Sequence, residues 1–148
     1  MLSTKFWVST FGLFLLFTSC AEDTSKQQEE YQATFQEVLD VHDKLMVRMT
    51  DIYEYSKELQ EIADTSATPQ KYMAAKDRLT AADDDMMNWM EHFGDDFVKN
   101  KSKVKEMNPQ QLEVQIKAIK EELTEVQDME TEMSASLDNA EELIQKSE

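Results

Sequence analysis

Residues 108–144, NPQQLEVQIKAIKEELTEVQDMETEMSASLDNAEELI, decide the fold. Asn108-Pro109 offers a helix cap followed by a first-turn proline, and Gln111 completes a capping-box pattern. Beyond it Leu112, Ile116, Ile119, Leu123, Val126, Met129, Met133, Leu137, Ala140 and Ile144 recur at steps of three and four, the period of one helix face. No glycine or proline breaks the run after Pro109. The stripe predicts one long amphipathic helix over about 109–146.

The same pattern occurs twice upstream. Tyr31, Phe35, Val38, His42, Leu45, Met49, Ile52, Ser56, Leu59 and Ala63 mark a helix of about 27–63, with Thr24 and Ser25 as candidate caps. Tyr72, Ala75, Leu79, Ala82, Met86, Met90, Phe93 and Phe97, then Val104 and Met107, mark a second of about 69–106. Thr68 reads as its N-cap and Pro69 as its first helical residue, and Gly94 is expected to interrupt it. No strand pattern competes. Short connections between long helices predict an all-α fold, an up-down-up antiparallel three-helix bundle with coiled-coil-like packing over 27–148.

Residues 1–19 read differently. Lys5 is their one charge, and Phe6 to Phe17 is an almost unbroken apolar run, the layout of a secretion leader and too short for a membrane span. The run ends in Leu16-Phe17-Thr18-Ser19-Cys20, which resembles the lipobox of bacterial lipoproteins, although Phe17 stands where an aliphatic residue is usual. The resemblance makes Cys20 a lipid anchor, residues 20–26 a short tether, and the membrane a partner. Several acyl chains give stable attachment where a single chain gives only marginal binding. Ala21 followed by Glu22-Asp23 resembles the surface-export signal of Bacteroidota lipoproteins, so the expected place is the outer membrane, facing the periplasm or the outside.

Composition excludes several classes of function. The 31 acidic against 15 basic residues, a net charge of −16, would repel a nucleic-acid backbone. Two glycines leave no phosphate-cradling loop, and one cysteine allows neither a disulfide framework nor a thiolate metal site. No nucleophile–base pair or paired-acid spacing stands out among the helix-surface acids, so neither catalysis nor a cofactor is expected.

Chemistry concentrates at mid-chain. With the first turn near residue 66, His42 stands level with Met90 and Met46 with Met86. With the second near residue 108, Met129 comes beside Met86. Adaptable thioethers commonly fill a core. The sharper reading is a soft-metal site for Cu(I) or Ag(I) among His42, Met46, Met49, Met86, Met90 and His92, or a pocket for a small apolar ligand. Trp89, with Met90 and Phe93, is a candidate face for an envelope protein partner if exposed and core if buried. Asp83-Asp84-Asp85 and the acids after them lack the EF-hand spacing. Lys99, Lys101, Lys103 and Lys105 form a basic block that a bundle returns toward Cys20, a candidate contact with anionic headgroups.

The lipobox, the segment Tyr31-Gln-Ala-Thr-Phe-Gln-Glu-Val-Leu-Asp-Val-His-Asp-Lys-Leu-Met46 and the segment Met86-Met87-Asn88-Trp89-Met90-Glu91-His92-Phe93-Gly94 together resemble a family of small flavobacterial lipoproteins. Its members often carry the label "viral A-type inclusion protein". The resemblance implies an envelope location for a membrane-anchored structural or interaction module. It implies no virus, and it supplies no catalytic residues.

Overall fold

The computed structural model describes residues 20–147, with side chains from Thr24 onward. The expected leader and the side chain of Cys20 lie outside the described residues. Three helices pack against one another: α1 (Cys20–Thr65), α2 (Gln70–Phe93) and α3 (Pro109–Gln145). A π-helical turn, Gly94–Val98, continues α2, and a 3-10 turn, Lys101–Glu106, leads to α3. The described residues contain no strand.

Each boundary has a local cause. The segment 20–26, expected as a tether, belongs to α1, and Thr24 and Ser25 therefore lie within the helix instead of capping it. No glycine or proline occurs between Cys20 and Thr65, so nothing stops the helix from extending past its apolar stripe. At α2 the expected Thr68 cap is replaced. Pro69 takes the cap position in the αR region without a side-chain cap bond, and its carbonyl accepts from the Tyr72 and Met73 amides. Thr68 instead gives its amide to Ser66 Oγ. The α3 cap is as expected: Asn108 Oδ1 accepts from the Gln111 amide, and Gln111 Oε1 accepts from the Asn108 amide, both at 3.0 Å.

The stripes meet in one core. From α1 it takes Tyr31, Phe35, Val38, Leu45, Ile52 and Leu59; from α2, Leu79, Met86, Trp89 and Phe93; from α3, Leu112, Ile119, Val126, Met133 and Leu137. Each such fully buried side chain contributes about 1.5–3 kcal/mol before conformational entropy is set against it. The ion pairs are largely exposed, as in Lys57–Glu61 and Lys117–Glu121, and exposed pairs of this kind contribute ~0–1 kcal/mol each.

Polar contacts between helices fix the levels. His42 meets Met90, Lys76 Nζ donates to Gln60 Oε1, Trp89 donates to Glu122, and Lys120 pairs with Glu30. Near the start of α1, Gln27 Nε2 donates to the Pro109 carbonyl and Gln28 Nε2 to that of Lys105. The beginnings of α1 and α3 and the lysine-bearing turn therefore lie together.

Candidate functional site

Trp89 stands between two concavities. Its indole is 4% exposed and stacks on Phe93 at a centroid distance of 4.8 Å, and Phe93 stacks in turn on Phe97 at 5.4 Å. These are successive i,i+4 neighbours along α2 and the turn after it, so one helix face stacks its own rings. Phe35 of α1 closes on Phe93 at 5.4 Å. Trp89 and Phe93 are thus core, so of the two alternatives for the face of Trp89, Met90 and Phe93 the buried one holds and the open partner face does not. The rings fill the space between helices, and Met90 is half-buried against them.

On one side a groove of about 770 Å³ runs between α2 and α3. Asp85, Asn88 and His92 line it from α2, and Lys117, Lys120, Glu121, Glu125, Asp128 and Glu132 from α3. Trp89, which also lines it, donates Nε1–H to Glu122 Oε2 of α3 at 3.0 Å. Burial pushes the Glu122 carboxyl above its ordinary range, and nearby Glu125 adds to that, while the indole hydrogen bond pulls it back.

On the other side lies a smaller, mostly apolar cavity of about 210 Å³. Leu39 and His42 line it from α1; Trp89, Met90 and Phe93 line it from α2, with Gly94 and Val98 from the π turn. His42 reaches across with Nε2 3.2 Å from Met90 Sδ, while its Nδ1 lies 3.0 Å from Asp43 Oδ1. Its ring faces Trp89 at a centroid distance of 5.8 Å. The cavity sits where α2 passes into π geometry, a feature that recurs at functional sites.

The six residues of the soft-metal reading are distributed unevenly. His42 and Met90 stand at ligand distance from each other. Met86 is fully buried, Met49 is half-buried against the core, and Met46 is 39% exposed, outside the apolar interior expected for it. His92 is exposed and borders the α2–α3 groove instead of the cavity holding His42. Among the described residues no group of three or more His, Cys, Asp or Glu side chains is arranged to hold a metal ion.

The basic block is divided. Lys99 pairs with Asp95, and Lys103 Nζ donates to Asn100 Oδ1. Lys101 Nζ lies 4.2 Å above the Phe35 ring, so its stem covers the core. Lys105 is exposed. Among the described residues no helix is long and apolar enough to cross a membrane.

Glu122 escapes sequence reasoning, whereas Asp43 does not. Asp43 adjoins His42 in the chain and is readable as its carboxylate partner. Glu122 is one acid among many on α3, and only its level, one turn from Val126, ties it to Trp89. Compared with protein-family models, curated proteins and solved structures, the chain matches none.

Proposed function

We propose that the chain is a helical envelope lipoprotein, tethered to a membrane through acylated Cys20 and serving as a structural or protein-interaction module. The observation that carries this reading is the lipobox-like ending Leu16-Phe17-Thr18-Ser19-Cys20 placed directly before a long helical domain. The resemblance to small flavobacterial lipoproteins supports the same reading, and outer membrane is the location it favours.

The reading includes an up-down-up bundle whose second helix is interrupted near Gly94. Support comes from the contacts of His42 with Met90, of Gln60 with Lys76 and of Trp89 with Glu122, which fit neighbouring helices of opposite direction. The Gln28 bond to the Lys105 carbonyl supports a tether end that carries the lysine-bearing turn. In that arrangement the basic turn lies near the headgroups, and the acidic groove between α2 and α3 lies further out.

Metabolic labelling with an alkyne fatty acid in an expressing bacterium tests the tether. The expected result is label on the wild-type chain, a mature N-terminus at an acylated Cys20, and loss of label in Cys20→Ala. A wild-type chain whose mature mass carries no acyl group overturns the reading.

A further inference from the structure

We propose that His42 Nε2 and Met90 Sδ form a binding site for one soft monovalent d10 cation, Cu(I) or Ag(I), with the Trp89 indole as its third wall. Three features of the geometry converge on it, and none depends on the lipid anchor.

The first is the direction of the imidazole. Asp43 Oδ1 lies 3.0 Å from His42 Nδ1, and in the tautomer whose Nδ1–H donates to that carboxylate Nε2 carries a lone pair. A carboxylate holding the far nitrogen is the usual way a ligating histidine is oriented. Nε2 then faces a thioether sulfur, which has no proton to offer, at 3.2 Å. In that tautomer two electron-pair donors face each other, and a cation between them would bond to both.

The second is distance. With metal–nitrogen and metal–sulfur bonds of about 2.0 and 2.3 Å, as at zinc, the observed separation gives an angle of roughly 95° at the metal. A movement of about half an ångström by the unbranched Met90 side chain opens it to trigonal. Imidazole and thioether together select soft ions over Mg(II) or Ca(II).

The third is the surrounding wall. Trp89 lines the same cavity as His42 and Met90, and its ring lies 5.8 Å from the imidazole. Donation of its N–H to the Glu122 carboxylate enriches the ring that a cation would face. The net charge of −16 raises the local concentration of any cation.

The test uses the full chain in detergent with Trp7→Phe, which leaves Trp89 as the one indole. It is titrated with Ag(I) in chloride-free buffer, and with Cu(I) under ascorbate against bicinchoninate. The expected result is one ion per chain with quenching of Trp89 fluorescence. Affinity should fall at least about tenfold in Met90→Leu and in His42→Gln, with less than that in Asp43→Asn. Met133→Leu, a core thioether outside the cavity, should bind as the wild type does. Absence of binding overturns the proposal, as does unchanged binding in Met90→Leu or an equal loss in Met133→Leu. Circular dichroism of each variant separates loss of a ligand from loss of the fold.

Discussion

Trp89 donates its indole N–H to Glu122 Oε2 at 3.0 Å, linking α2 to α3. The acceptor is a carboxyl whose folded pKa is raised, chiefly by burial, above an ordinary value of 4.5. Between those two values the folded chain holds a proton that the unfolded chain releases, so stability falls as pH rises through that window. Above it, the charged carboxylate remains a cost to folding. Glu122→Gln keeps an oxygen to accept the indole proton and removes the charge. It should raise the Tm at about pH 7 and give no gain below both pKa values. Paired thermal melts at neutral and acid pH check this; a lower Tm for Glu122→Gln at neutral pH contradicts it.

The two helix starts separate a working cap from an apparent one. Asn108 satisfies the Gln111 amide and receives the reciprocal bond, whereas Thr68 makes no side-chain cap bond to α2. Asn108→Ala should therefore cost about 1 kcal/mol, within the ~0.5–2 kcal/mol range of lost caps. Thr68→Ala should stay within roughly 0.5 kcal/mol of wild type, as surface changes do. Urea unfolding monitored by circular dichroism measures both, and equal losses would show that Thr68 caps after all.

The helix starts also show what a sequence exposes and what it hides. α3 is legible end to end because cap, first-turn proline and unbroken stripe coincide within one segment. The start of α1 is not, because its apolar stripe begins only at Tyr31. A polar stretch free of breakers reads as tether, yet needs only its own backbone bonds to stay helical. The level of His42 with Met90 follows from the positions of the turns, since rise per residue is constant. Rotation about the helix axis is harder to read. Met46 lies at the stripe's margin and turns to solvent, while Trp89, absent from the simplest stripe, turns in. Glu122 was illegible because α3 is crowded with acids, and only packing shows which one an indole meets.

Gly94 provides a third test. Its backbone is αR, with φ −59° and ψ −45°, and its amide bonds to the Glu91 and Met90 carbonyls, so it continues the helical path. No heavy atom lies within 4 Å of the place a Cβ would occupy, apart from the adjoining backbone. The widening to π geometry, with the Lys99 amide on the Gly94 carbonyl at 3.1 Å, therefore does not need a missing side chain. Gly94→Ala should stabilise the chain by about 0.4–1 kcal/mol, mainly by restricting the unfolded state. Chemical denaturation decides it. A destabilised variant would mean that the passage from α2 into the π turn depends on glycine.

Lys101 and Lys105 belong to one basic run and should behave differently. The ammonium of Lys101 lies 4.2 Å over the ring of Phe35, a residue 2% exposed, so the lysine stem acts as a lid on the aromatic core. Lys105 is exposed, and it is the Lys105 backbone carbonyl that receives Gln28. A side-chain substitution at 105 leaves that bond in place. Lys101→Gln should cost about 0.5–1 kcal/mol through the lost cation–π contact, and Lys101→Ala more, because the covering methylenes go too. Lys105→Gln should be close to neutral. Urea unfolding of the three variants at low and high salt provides the comparison. A loss at Lys101 that high salt abolishes would assign the effect to long-range charge, whereas one that persists belongs to the contact with Phe35.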